Sequence, residues 1–255
     1  MKAAARIEVA RRDGRDVLVD ARSEPPMAIR RAGDRVLVVG SAAAPVGGDA
    51  LTLDVVVGPA ARLSLGTVAA TMAWPGPHDS WSSFAVTAAV GAGGHLCWTP
   101  EPTIAVAGCR HRSSMTVRLD PGATAWIVEE VSLGRTGEDP GHLELEWRVE
   151  RAGAVLLHHA ERLGPSGPGW GSAVGNGQHR HLVAAVSVGV VAPGDGPPTS
   201  VDASGAAARL QIADDTWMVL AVGVDRPSAR CAMDAVADLG AHGLDVETVR
   251  ALIRL

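Results

Sequence analysis

The sequence predicts a mainly β protein of stacked sheets, a sandwich or a β-solenoid, with a short helical pair at its C-terminal end. Three observations carry this. Apolar residues alternate with polar ones at a period of two through Leu51, Leu53, Val55 and Val57, with Thr52 and Asp54 on the other face. Glycine turns then close successive strands at Gly58-Pro59, Gly91-Ala92-Gly93-Gly94, Asp120-Pro121-Gly122 and Arg151-Ala152-Gly153, at intervals of roughly 30 residues. Only after Asp225 does the apolar period change to that of a helix.

In chain order, Met1 to Arg22 read as two short strands turning at Asp13-Gly14 and ended by Pro25-Pro26. A strand through Val36 to Val39 leads to the loop Pro45-Val46-Gly47-Gly48-Asp49, where two glycines before an aspartate fit a tight turn. After the strand at Leu51 come Phe84 to Val90, Met115 to Leu119 and Leu143 to Val149. Between them lies Cys97 to Gly108, where Pro100 and Pro102 remove backbone donors and predict a rigid extended segment with an uneven hydrogen-bond ladder. Gly164 to Gly177 is a loop by composition. Strands follow around Leu182 to Val191 and Trp217 to Val224. Ala229, Ala232, Met233 and Val236 then form a helical stripe behind an Asp225 cap, and Asp245 caps a second helix with Val249, Leu252 and Ile253. The chain is read as one domain over residues 1–255, β-rich over 1–224 and helical over 225–255.

Composition narrows the function classes. A chain of 255 residues, 47% hydrophobic and 20% charged, buries a large core and is not disordered. The charge of -5, with no basic cluster, speaks against nucleic acid. The absence of Tyr and a single Phe speak against base-stacking or sugar-binding platforms. Lys2 is the only lysine, so neither a Schiff base nor a phosphate loop has a candidate residue in the body of the chain, and the glycine-rich loop lacks the Gly-Lys-Ser/Thr ending. Cys97, Cys109 and Cys231 cannot all pair internally, and the longest apolar run, Leu182 to Ala192, falls short of the roughly 20 residues that cross a bilayer. A cytoplasmic protein without a membrane segment is expected.

The search for chemistry finds no Gly-x-Ser-x-Gly elbow. Glu129-Glu130 point to opposite faces of a strand, Glu144 and Glu146 share one, and all four are expected at the surface. His95, Cys97, Cys109 and His111 have donor types that suit Zn²⁺ or Ni²⁺, but not the two-by-two spacing of a structural zinc site. The neighbours His158-His159 and His179-Arg180-His181 diverge on a strand and do not readily share an ion. The residues alone leave a scaffold or adaptor, a metal-dependent enzyme built on that His/Cys set, or an unrelated β-sheet binding module.

An ordered series of motifs resembles the urease accessory protein family UreD, also called UreH. It runs through Pro26-Met27 with Arg30, Gly47-Gly48-Asp49, Thr67-Val68-Ala69-Ala70-Thr71, and Trp98-Thr99-Pro100-Glu101-Pro102-Thr103-Ile104 with Gly108. It continues at Glu129 or Glu130, Gly134-Arg135 and Gly137-Glu138, and fades after Arg162. The chain departs from the family pattern through Gly66, Thr67, Val68 and then Thr71, Met72, Ala73 and Trp74, where three polar positions have become small or apolar, and where Cys97 replaces a glutamate before the tryptophan. The resemblance implies a β-rich, non-enzymatic chaperone that bridges apo-urease and the helical partner UreF, which recruits the nickel-carrying GTPase UreG. It implies no permanent cofactor, nickel in transit through a shielded polar path, and Gly47, Gly48, Asp49, Thr67, Thr71, Trp98, Pro100, Glu101, Pro102, Gly134, Arg135 and Glu138 as partner-binding or path residues. If the departing positions line that path, Cys97 puts a thiol on it.

Overall fold

Alternating side chains dictate strands that bury one face, and two such faces close on each other in the computed structural model, which describes residues 1–172, 177, 179–190, 199–201 and 206–237. Strands β1 (Lys2–Arg12) and β2 (Arg15–Ser23) form the first hairpin, and β3 (Met27–Ala32) and β4 (Arg35–Gly40) the second. Then come β5 (Ala50–Val57), β6 (Arg62–Thr67), the short β7 (Thr71–Ala73), β8 (Ser82–Val90), β9 (His95–Trp98) and the short β10 (Thr103–Ala105). β11 (Arg110–Leu119), β12 (Thr124–Leu133), β13 (His142–Arg151) and β14 (Ala154–Leu163) complete the middle of the chain. β15 (His181–Val188), β16 (Thr199–Val201), β17 (Ala207–Ala213), β18 (Thr216–Gly223) and helix α1 (Arg226–Ala237) follow.

The first sheet has the order β14-β13-β11-β8-β5-β1-β2. The second runs β16-β17-β18-β15-β12-β9-β6-β4-β3, with β10 joining β7 to β12 beside that path. In the middle of each sheet the strands are parallel, and the chain winds from one sheet to the other and back. Ala50 lies beside Ser83, Ser82 beside His111, and Arg110 beside His142, so each coil rests on the next about 29 to 33 residues further on. The stacking is in register. Val55, Ala88, Val117 and Val149 form one inward ladder in the first sheet, and Leu65, Trp98 and Ile127 face them from the second. The coil spacing read from the turns is thus the solenoid repeat. At one turn Gly91 lets the next coil approach, because a Cβ there would lie 2.8 Å from Pro59 N.

The main core lies between the sheets, with Ile7, Leu53, Leu65, Leu96, Ile127, Leu133 and Leu143 almost fully buried. A second core covers the outer face of the second sheet, where Cys97, Trp126, Val128, Val183, Ala185 and Val219 pack under Ala229 and Met233 of α1. This explains why β12 and β15 are buried on both faces. Helix α1 is the first of the two expected helices. Its start is capped by Asp225, whose Oδ1 accepts from Ser228 N at 2.8 Å while Ser228 Oγ accepts from Asp225 N at 3.3 Å. The second helix, expected from Asp245, lies outside the described residues, as does part of the Gly164 to Gly177 loop. Among the described residues no helix is long and apolar enough to cross a membrane.

Candidate functional site

The strands β6, β9 and β12 all end at the same edge of the solenoid, and the chain crosses there to the first sheet. The motif segments are those crossings. After β6, Thr67 Oγ1 donates to Ala69 O at 3.2 Å and accepts from Glu101 N at 2.8 Å, tying the first crossing to the second. Thr71 N donates to Pro102 O at 2.9 Å, where β7 enters the ladder beside β10. Trp98 ends β9 buried in the core, and Pro100-Glu101-Pro102 leave the sheet before β10 re-enters between β7 and β12. The uneven ladder expected from the two prolines is this exit and re-entry.

The third crossing begins at Gly134, whose N–H donates to Ala105 O at 2.7 Å and whose φ of +81° suits glycine. Arg135 forms a fork on Glu138, with Nη2 2.7 Å from Oε1 and Nε 3.1 Å from Oε2, and its guanidinium lies 5.4 Å from the Trp74 ring. These hydrogen bonds hold the Glu138 carboxyl down at about 2. The Gly47-Gly48-Asp49 loop closes the same edge. A Cβ on Gly47 would lie 2.5 Å from both Gly76 N and Ser80 O, so two backbones touch there. Asp49 is buried and accepts from Val46 N at 2.8 Å through Oδ2 and from the Met1 ammonium at 2.5 Å through Oδ1. A groove of about 530 Å³ opens beside these crossings, lined by Met27, Val38, Ala44, Val68, Met72 and Phe84 among others.

Glu129 and Glu130 do point to opposite faces of β12, but neither is a surface carboxylate. Glu129 lies between the sheets, where Oε1 accepts from Ser113 Oγ at 2.5 Å and Oε2 from Trp147 Nε1 at 2.5 Å. Burial pushes its pKa up, and the two donors oppose that shift. Glu130 faces α1, where Oε2 accepts from Arg226 Nε at 2.7 Å and Oε1 meets Arg230; Arg226 also reaches Glu101 at 3.2 Å. Ser113, Trp147, Arg226 and Arg230 are therefore site residues that the sequence reading missed. The available signal was the apolar run Ile127-Val128 and Val131 around the two acids, the mark of a strand buried on both faces. Glu144 does lie on the solvated face, held by Arg112 and Arg162.

His95, Cys97, Cys109 and His111 are not brought together. His95 and Cys97 share the outer face of the second sheet, where His95 Nδ1 lies 2.8 Å from Thr124 Oγ1 and Cys97 packs in the second core. Cys109 and His111 belong to the interior, where His111 Nδ1 lies 2.9 Å from Ser82 Oγ. Burial pushes the Cys97 thiol up to about 11 and the Cys109 thiol up to about 12, and brings His111 down to about 4. Among the described residues no three His, Cys, Asp or Glu side chains form a group that could hold a metal ion.

The sequence model of the family described as UreD urease accessory protein matches residues 1–252. The chain belongs to the UreD family. The urease accessory protein UreD of Streptomyces coelicolor is 34% identical over 250 residues, covering 94% of this chain and 97% of the relative. That of Streptomyces avermitilis is 38% identical over 190 residues, 71% of this chain and 75% of the relative. Urease accessory protein UreD 2 of Saccharopolyspora erythraea is 38% identical over 183 residues, and the match spans 70% of this chain and 65% of that protein. Two departures of this UreD chain now have a place. Gly66 leaves room for Arg35, whose Nη2 lies 2.5 Å from where a Cβ would stand. Cys97 faces the outer core and not the space between the sheets, so its thiol is not on an interior path.

Proposed function

We propose that this chain is a non-catalytic scaffold of urease maturation in the cytoplasm. It bridges apo-urease and a UreF-type helical partner, which brings the nickel-carrying GTPase UreG. The observation that carries this reading is the family match over nearly the whole chain, and the gathering of the motif segments on one edge of the solenoid agrees with it. That edge offers what a bridging protein needs: a rigid frame of crossings, an apolar groove beside Val68, and the half-exposed Glu101 carboxylate paired with Arg226. Val68 is 55% exposed although apolar, as suits a contact residue.

Nickel is cargo in this reading. Between the sheets, His111 with Ser82 and Glu129 with Ser113 place nitrogen and oxygen donors in an otherwise apolar interior. GTP hydrolysis falls to the partner, in keeping with a chain whose single lysine is Lys2. The test is co-expression of the urease subunits and the other accessory proteins with and without this chain. Urease subunits should accumulate equally, with active enzyme only when the chain is present and with both partners recovered in a pull-down. Full activation in its absence overturns the proposal.

A further inference from the structure

Helix α1 begins with a charge at its unfavourable end. Arg226 is its first residue and no acidic side chain stands in its first turn, although the positive pole of the helix dipole favours anions there. Carboxylates from outside the helix offset this. Arg226 Nε donates to Glu130 Oε2 at 2.7 Å and Arg226 Nη2 to Glu101 Oε2 at 3.2 Å, so one guanidinium joins a strand of the second sheet to the proline crossing. The two acids differ. Glu130 is 3% exposed and also meets Arg230, whereas Glu101 is 44% exposed and has Arg226 as its one salt-bridge partner among the described residues. Pro100 and Pro102 restrict the backbone on either side of Glu101, and its N–H donates to Thr67 Oγ1 at 2.8 Å. Thr67 in turn lines the apolar groove beside Val68 and Met72. Contacts therefore run unbroken from the groove rim through Thr67 and Glu101 to the first turn of α1.

We propose that Glu101 and Arg226 form a latch between the crossing edge and α1, opened by a protein segment that seats an apolar side chain in the groove and presents an arginine or lysine to Glu101. The complementarity is of two kinds, since the groove is apolar and a carboxylate stands beside its rim. A half-exposed ion pair exchanges one cation for another with little loss. Once Glu101 is taken, Arg226 keeps Glu130 alone, and the helix loses one of its two charge anchors while Ala229 and Met233 stay in the outer core. The coupling is reciprocal: a segment that opens the latch loosens α1, and a looser α1 leaves Glu101 freer for the segment. Assigning the segment to the UreF-type partner rests on the maturation role proposed above; the latch within the chain does not.

Hydrogen exchange of the purified full chain tests the latch. In Glu101→Gln the amides from Ala229, whose N–H bonds Asp225 O at 3.1 Å, to Met233 should exchange about two- to fivefold faster than in wild type, with β8 and β11 unchanged. Wild-type exchange in α1 overturns the latch. Arg226→Lys distinguishes a latch from simple packing, because an ammonium keeps its charge beside Glu130 but does not fork onto two carboxylates. It should speed the same amides and tighten binding of the purified UreF-type partner about two- to fivefold, the inverse of the ion-pair loss. Glu101→Arg should weaken that binding at least about tenfold, since like charges then meet. Partner affinity unchanged or lowered in Arg226→Lys overturns the release of Glu101 to a partner. Failure of the UreF-type partner to bind the wild-type chain removes the maturation role instead, and faster α1 exchange in Glu101→Gln then leaves the latch standing.

Discussion

Arg35 explains why residue 66 has no side chain. Its Nη2 bonds Thr99 Oγ1 at 3.0 Å, and a Cβ at Gly66 would meet that guanidinium at 2.5 Å and Thr99 O at 2.7 Å. A guanidinium swings away at small cost, while a strand-end carbonyl does not. Gly66→Ala is therefore expected to destabilise by about 1–3 kcal/mol, the usual range for overpacking, with Arg35→Ala recovering only part of it. Urea midpoints of the single and double variants check this, and a neutral Gly66→Ala would count against the packing described. His111 gives a pH prediction. Its folded pKa of about 4 is below the unfolded value of 6.5, so as pH falls between them the unfolded chain takes up a proton that the folded chain refuses. Stability from this group is full above 6.5 and is lost on the way down to 4, by about 3 kcal/mol. Glu129 has the opposite sign, since its raised pKa costs stability as pH climbs past 4.5. The pH dependence of the urea midpoint should thus be read as wild type minus His111→Gln, which isolates the histidine.

At the scale of elements, α1 is fastened by charge as well as by apolar burial. Ala229 and Met233 are its buried side chains among those described, while Arg226 and Arg230 both engage the buried Glu130. Both arginines are partly exposed, at 41% and 33%, which reduces what the cluster contributes. Glu130→Ala should therefore weaken helix docking by about 1–3 kcal/mol, less than the loss of a fully buried pair. Hydrogen exchange is the measurement. The α1 amides should exchange faster while those of β8 and β11 keep their protection; unchanged α1 amides would show that the apolar contacts suffice.

For the whole molecule, what the sequence revealed depended on how many residues shared one rule. The β5 face was legible because Leu51, Leu53, Val55 and Val57 recur at a period of two with Thr52 and Asp54 between, and the coil spacing because glycine turns recur four times. The three-residue strands β7 and β10 are too short to show a period, and their pairing is set by the crossings on either side. Glu129 and Glu130 misled because carboxylates are ordinarily exposed, and only the second core and α1 make β12 an interior strand. Cys97 and Cys109 looked like one cluster because they are near in sequence. The crossing between them carries one to the outer face and the other to the interior.

The parallel pairing of β1 with β5 also sets an order of events during translation. The first hairpin carries Ile7 and Val9, which end up buried, yet the strand that covers their edge is not made until Ala50 to Val57 has left the ribosome. Thereafter each new turn of chain finds its neighbour already made. The nascent protein can add layers in the direction of synthesis, with its first hairpin waiting for β5 as the second waits for β6.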